Sequence, residues 1–170
     1  MPHLSFALRQ AAALALLAVG VAAAPAATAA TAAVPVAAPA ADGVIRLRSA
    51  NDFDATVARI KLDVAAKNIR FFDQIDQAAL GAGAGLKIRR STLLLFGNPP
   101  LGVQFLQSNP YAGLDWPVRM LVLEDADGGV WVAWTDFKFV ATRYGIRDRA
   151  PQLKMASEVA ASIASAGTTR

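Results

Sequence analysis

Apolar and polar positions in the C-terminal three quarters of the chain form five short stretches that predict β-strands. They cover residues 44–48, 69–75, 92–96, 118–124 and 130–135, and Gly, Pro, Asn or Asp residues bound most of them. A sixth stretch, Leu86 to Arg89, alternates like the edge of a strand. The run from Asp125 to Gly129 predicts a hairpin turn, so the late strands are expected to pair antiparallel.

Apolar residues at helical spacing predict helices between and after these strands. Asn51 or Asp52 offers an N-cap for the first helix, and Pro99 with Pro100 can occupy the first turn of a helix over 101–107. Asp136 caps a segment that ends at Gly145. The apolar face of the first helix is Phe53, Val57, Ile60 and Val64, and that of a last helix over 150–165 is Leu153, Ala156, Ala160 and Ile163.

These elements predict an α+β domain with one sheet and helices packed on one of its faces. Trp131 and Trp134 lie three positions apart on one predicted strand, so they face opposite sides of the sheet. One of them can join the core, whereas the other is expected to be exposed or to be covered by a partner.

The N-terminal part of the chain reads as a leader followed by a tether. Residues 11–24 are an unbroken apolar run after Arg9, too short to span a bilayer, and Ala-x-Ala sites follow. We therefore predict a signal peptide over 1–29 and an Ala/Pro-rich linker over 30–41, with the folded domain over 42–166. An uncleaved membrane anchor is the alternative.

The amino-acid composition excludes several kinds of catalytic and metal-binding chemistry. The chain has no cysteine, and its one histidine is His3 in the leader. Thiol catalysis, Ser-His-Asp catalysis and sites that need Cys or His ligands for zinc, copper or haem are therefore not expected. We predict no cofactor and no metal. The formal net charge of +4 falls by one with the leader, which is too small to indicate a nucleic-acid partner.

The segment between the third and fourth strands contains two Asn-Pro pairs, which interrupt regular structure, and the carboxylate of Asp115. Asn98, Asn109, Asp115 and Arg119 are the candidate ligand-binding residues, because side chains at chain breaks can converge on a polar ligand. They can equally brace turns by bonding to nearby backbone. Asp115 could also act as a catalytic acid, with Glu124 or Asp136 as a second carboxylate.

The segment from Phe53 to Gly145 resembles the domain-of-unknown-function family 302. The matching elements are Ile75-Asp76, Leu94 to Pro99, Asn109-Pro110, Leu114 to Pro117, Glu124-Asp125, Gly129 to Val132 and Tyr144-Gly145. The resemblance implies a TATA-binding-protein-like topology, β-α-β4-α, with a curved antiparallel sheet. It implies no activity. Family members commonly have His where this chain has Gln77 and Tyr144, so a His-dependent role in relatives cannot apply here.

Together these features predict an exported, non-catalytic domain that binds a small ligand or a partner protein. Self-association is plausible for such a fold, nucleic acid is not an expected partner, and membrane contact is expected only if the leader stays uncleaved. The alternative function is a carboxylate-dependent enzyme that uses Asp115.

Overall fold

The computed structural model describes residues 42–170, which form an α+β fold. In chain order the elements are β1 (Val44–Arg48), α1 (Phe53–Ala66), β2 (Arg70–Asp76), α2 (Gln77–Gly83), β3 (Ser91–Gly97), α3 (Pro99–Ser108), a 3₁₀ segment (Pro110–Asp115), β4 (Val118–Glu124), β5 (Val130–Thr135), α4 (Phe137–Tyr144) and α5 (Ala150–Thr168). The predicted leader and linker lie outside the described residues.

The five strands form one open sheet in the order β1-β5-β4-β3-β2, and all neighbours are antiparallel. The fold class predicted from the sequence is confirmed. One strand precedes α1 and four follow it, as predicted, although α2, α3 and the 3₁₀ segment interrupt the four. The edge strand β2 has an irregularity between Phe71 and Asp73, which is one way in which an edge avoids pairing with another chain.

The hydrophobic core lies on one face of this sheet. Leu94, Met120 and Val122 point from the central strands toward the helices and are fully buried. Ile60 of α1 and Ile163 of α5 meet them in the same cluster. Burial of each such side chain contributes about 1.5–3 kcal/mol, so packing on this face holds the fold together.

Short polar side chains set the helix ends, as the sequence predicts. Asp52 caps α1 by accepting a hydrogen bond from the Ala55 backbone N–H at 2.8 Å, and Asp136 accepts one from Lys138 at 3.0 Å at the start of α4. Gly145 ends α4 with φ of 64°, in the left-handed region that glycine adopts at low cost.

Two local predictions are wrong. Leu86 to Arg89 forms no strand. The last helix extends to Thr168, because Asn51 donates hydrogen bonds to the carbonyls of Gly167 at 3.0 Å and Thr169 at 2.9 Å. These contacts join residues far apart in the chain, and local sequence patterns do not report them.

Candidate functional site

Asp115 lies at the end of the 3₁₀ segment and is the most enclosed carboxylate of the predicted site. Its side chain is 4% exposed. The Tyr144 hydroxyl donates a hydrogen bond to Oδ2 at 2.6 Å, Arg143 donates to the same oxygen at 3.3 Å, and Arg119 pairs with Oδ1. Both carboxylate oxygens are therefore engaged by groups of this chain.

The negative charge of the Asp115 carboxylate determines the electrostatics of this cluster. The hydrogen bond to Asp115, together with burial, raises the pKa of Tyr144 above its ordinary value, because the bond favours the protonated phenol. Arg119 and Arg143 are about half exposed, at 45% and 53%, so water screens their pairing with Asp115. The short bond from Tyr144 is the contact that orients Asp115.

Asn109 connects the same region through backbone contacts. Its side-chain amide donates to the Tyr144 carbonyl at 2.8 Å, and its oxygen accepts from the Tyr111 N–H at 3.0 Å. Asn109 thus caps the 3₁₀ segment and ties it to the end of α4. The structure brings Asn109, Asp115 and Arg119 into one network, and every one of them contacts groups of the chain itself.

Asn98 is not part of that network. It is exposed at the start of α3, where its side chain makes no capping hydrogen bond. It lines an apolar cavity of about 40 Å³ with Trp116 and Gly102. A Cβ at position 102 would overlap the indole, so glycine there lets Trp116 close the space. The cavity is far smaller than the roughly 300–1,000 Å³ of small-molecule sites.

Acid–base catalysis by Asp115 would need a second carboxylate, and none is among the bonded partners of Asp115. Asp136 is occupied in capping α4, and Glu124 stands at the opposite end of β4 from Arg119. Within residues 42–170, no three His, Cys, Asp or Glu side chains are grouped so that they could hold a metal ion. The arrangement around Asp115 fits a structural brace.

Sequence reasoning missed Arg143 and Tyr144 as partners of Asp115. Tyr144 was noted only as a departure from the family pattern, one residue before the helix-ending Gly145. Its contact with Asp115 spans 29 positions, and no spacing rule reaches that far.

A second surface stands out on the face of the sheet opposite the core, which we name the open face. Its side chains form three rows across the strands. The rows are Ser91, Leu123, Trp131, Arg48; then Ile75, Leu93, Leu121, Ala133, Arg46; then Asp73, Leu95 and Arg119, continued by the pair Thr135 and Val44. Its large apolar side chains are partly exposed, and none belongs to the core cluster.

Trp131 is the largest side chain of the open face and is held in place. Its indole N–H donates to Asp125 at 2.7 Å, and the Arg48 guanidinium lies 5.9 Å from its ring centroid. Trp134 is 3% exposed on the core face. The prediction that the two tryptophans face opposite sides of the sheet is therefore confirmed.

Other depressions lie along α1 and the edge strand β2. One of about 150 Å³ contains Asp54, Asp76 and Arg90, and a neighbouring groove of about 510 Å³ is lined by Lys61 and Leu62 among others. Arg90 and Asp54 pair with each other, and most of the groove residues are exposed. This surface does not enclose a ligand.

Known proteins match the chain as follows. The model of the family described as domain of unknown function DUF302 matches residues 45–168. The crystal structure of an uncharacterized conserved DUF302 protein from Bacillus stearothermophilus has a TM-score of 0.67 at 12% identity, over 73% of this chain and 97% of that one. That likeness shows the fold.

Curated relatives include the Fluoride-specific ion channel FluC 1 of Brucella suis and of Brucella abortus. Each is 30% identical over 112 residues, which is 66% of this chain but 44% and 42% of those proteins. The chain thus spans less than half the length of these relatives. No helix in residues 42–170 combines the length and apolar character needed to cross a membrane.

The family model matches most of the length of this chain, which shows that the chain belongs to the DUF302 family.

Proposed function

We propose that this protein is an exported, non-catalytic interaction domain that binds a partner protein with its open face. One observation carries the proposal: β3, β4 and β5 have apolar side chains on both faces, whereas the core cluster contains those of only one face. Leu94 and Met120 fill the core, while Leu93, Leu95 and Leu121 point the other way.

Antiparallel sheets with one solvated face alternate between apolar and polar positions. In this chain Leu93, Leu94 and Leu95 are consecutive, a pattern typical of strands that are buried on both sides. Contiguous apolar surface on a soluble domain marks interaction sites. A partner on the open face would account for the sequence of these strands.

The other functions predicted from the sequence receive less support. A small ligand would need a cavity of matching size, and the apolar one near Asn98 is about 40 Å³. Catalysis by Asp115 would need a reactive carboxylate, but its oxygens are occupied by Tyr144, Arg119 and Arg143. Both functions therefore rank below a protein partner.

The curated relatives are consistent with a domain that acts by contacting another protein. In the two Brucella proteins the similar segment is part of a longer chain named as a fluoride-specific ion channel. The ion and the channel activity are those of the longer proteins, of which the match covers less than half. Occurrence within a longer chain is what is expected of a module that is combined with other parts.

Photo-cross-linking in the native cells tests the proposed interface. A photoreactive benzoylphenylalanine replaces Leu121 at the middle of the open face, and the matched control carries it at Leu62, which is 69% exposed on α1. We expect a protein adduct from position 121 that is absent from position 62. Equal yields of free protein from both positions would refute the proposal.

Export rests on the leader predicted from the sequence, so it has its own test. N-terminal sequencing of the protein from its native cells should begin between about Ala30 and Ala33. A full-length product in the cytoplasm would contradict export and leave the interface proposal to be judged separately.

A further inference from the structure

We infer that the region between β2 and β3 binds the surface of an anionic lipid bilayer. This region, which we name the α2 lobe, comprises residues 77–90, that is α2 and the irregular segment that follows it. The inference goes beyond the proposed function, because no residue of the lobe belongs to the open face. From the sequence, membrane contact was expected only through an uncleaved leader, whereas the lobe gives the folded domain a contact of its own.

Large apolar side chains are exposed along the lobe. Leu80 on α2 is 65% exposed, and Leu86 and Ile88 after it are 66% and 49% exposed. No residue of α2 is buried, and between positions 79 and 90 every residue except the partly buried Gly81 is exposed. Packing within the domain therefore does not account for these apolar side chains, and exposed apolar surface of this kind marks a contact site.

The tip of the lobe carries no polar side chain. Residues 78–86 read Ala-Ala-Leu-Gly-Ala-Gly-Ala-Gly-Leu. A protein interface makes about one hydrogen bond per 100–200 Å², and the side chains of this tip have no group that forms one. Lipid hydrocarbon needs no hydrogen bond from a side chain, so it matches this tip better than a protein surface does.

The backbone of the tip is suited to lipid because its N–H groups are paired within the lobe. The Ala84 and Leu86 N–H groups donate to the Gly81 carbonyl at 3.0 and 2.9 Å. The Gly85 N–H donates to the Ala82 carbonyl at 3.0 Å. Hydrocarbon offers no partner to a backbone group, so such groups must be paired within the protein. The tip can therefore enter the outer layer of a bilayer without leaving these donors unpaired.

The charge of the lobe selects an anionic surface. Lys87, Arg89 and Arg90 follow the tip, and residues 77–90 contain no Asp or Glu. Arg90 pairs with Asp54, whereas the ion pairs in the described part of the chain do not include Lys87 or Arg89. Such side chains lay their stems along apolar surface and hold their charges at the level of the lipid phosphates. Each cation near an anionic membrane strengthens binding about fivefold.

The base of the lobe is fixed to the sheet. The Ser91 hydroxyl at the start of β3 donates to the Gln77 side chain at 2.7 Å. The Arg90 carbonyl accepts a hydrogen bond from the Glu124 N–H at 3.0 Å. Both ends of the lobe are thus held, and a segment that is already held loses less conformational freedom when it binds.

The size of the lobe predicts a shallow and reversible contact. α2 has 7 residues, which gives a length of about 10 Å. Apolar side chains of peripheral segments reach about 5–10 Å into the boundary between headgroups and acyl chains. The association is therefore expected to need anionic lipid and to weaken as salt is added.

Fluorescence from a single label at the tip tests the lipid surface. The natural chain has no cysteine, so Ala82→Cys in the full chain accepts the polarity-sensitive dye nitrobenzoxadiazole at one position. The matched control is Leu62→Cys, at a side chain that is 69% exposed on α1. Vesicles contain phosphatidylcholine alone or mixed with phosphatidylglycerol. Because the dye reports its own surroundings, vesicle binding by the leader does not imitate a signal from the lobe.

We expect the dye at position 82 to become brighter and to shift its emission to the blue with the anionic vesicles, and to be quenched by doxyl-labelled acyl chains. The dye at position 62 should not respond. Combining Lys87→Gln with Arg89→Gln should weaken the apparent affinity about 25-fold. Leu86→Ser should also weaken it, whereas Leu62→Ser should leave it unchanged.

Circular dichroism checks the fold of each variant. Gly83→Cys replaces Ala82→Cys if the latter misfolds, because no atom lies within 4 Å of a Cβ added at position 83.

A folded, labelled chain that shows no change at position 82 with anionic vesicles overturns the inference, as does an equal response at position 62. An equal response to phosphatidylcholine alone would overturn the role of charge and with it the anionic surface. If the dye at position 82 responds to a vesicle-free extract of the native cells and not to vesicles, the lobe contacts a protein and the inference fails. None of these outcomes bears on the open face, which photo-cross-linking from position 121 tests separately.

Discussion

The two faces of the sheet are similar in their content of apolar side chains, but their surroundings differ. On the core face, Leu94 and Val122 are fully buried beneath α1 and α5. On the other face, the neighbouring Leu93 and Leu121 are partly exposed and lie outside the core cluster. Packing on the core face stabilises the fold, and the proposed interface lies on the open face.

The comparison teaches that apolar content alone does not mark the core. Both faces of β3 are leucine-rich, yet Leu94 belongs to the core cluster while Leu93 and Leu95 are partly exposed outside it. Two leucines that differ by one position therefore report on two separate properties. The predictions below use this contrast.

The largest expected effect separates Leu94 from Leu93. Leu94→Ala should lower the free energy of unfolding by about 2–5 kcal/mol, because Leu94 is 0% exposed and its truncation leaves a cavity. Leu93→Ala should cost less than about 1 kcal/mol, because Leu93 is partly exposed and lies outside the core cluster. Urea unfolding followed by fluorescence measures both, and equal losses would remove the distinction between the faces.

A smaller loss is expected at Asp115. Asp115→Ala should destabilise the domain by about 1–3 kcal/mol, because the Tyr144 hydroxyl loses its acceptor and two arginines lose their counter-charge. Asp115→Asn keeps the size and one oxygen, so it should cost less. Thermal melts with and without extracted cell metabolites decide whether this region only braces the fold. A stable Asp115→Ala protein would indicate a ligand site instead.

The two asparagines of the predicted site should differ from each other. Asn109→Ala should cost about 0.5–2 kcal/mol, since its side chain caps the 3₁₀ segment and holds the Tyr144 carbonyl. Asn98→Ala should change stability by less than about 0.5 kcal/mol, because Asn98 is exposed and caps nothing. Urea unfolding of the pair checks this, and equal costs would argue that Asn98 has a contact of its own.

The smallest effect concerns proton binding. The bond to Asp115 raises the pKa of Tyr144, so its contribution to stability is present below the pKa of an unfolded tyrosine and is lost as the pH rises through the folded value. Asp115→Asn should lower the pKa of Tyr144. Absorbance titration measures it, with the 72% exposed Tyr111 as internal reference. An unchanged Tyr144 titration would contradict the bond.

Much of the fold could be predicted because local patterns of apolar and polar residues determine it. Strands β1, β4 and β5 have the predicted bounds, since alternation and the hairpin turn fix them within a few residues. The network around Asp115 could not be predicted, because Tyr144 lies 29 positions away and only the packing of α4 beside the 3₁₀ segment brings it near.

The candidate site was predicted only in part for the same reason. Chain breaks drew attention to Asn98 and Asn109 alike, yet their roles depend on what stands opposite each side chain. The open face was indicated by Trp131 and by the consecutive leucines of β3, but its extent needed the register of all five strands. Sequence patterns locate elements, and register decides which residues share a surface.

Photo-cross-linking from position 121 in native cells tests the central claim most directly when it is repeated in chains that also carry Leu93→Asp or Leu62→Asp. Aspartate at position 93 would place a charge in the proposed interface, whereas position 62 is exposed on α1. The account predicts the same protein adduct for the natural sequence and for Leu62→Asp, and its loss from folded Leu93→Asp. No adduct from the natural sequence, or an undiminished adduct from Leu93→Asp, would contradict it.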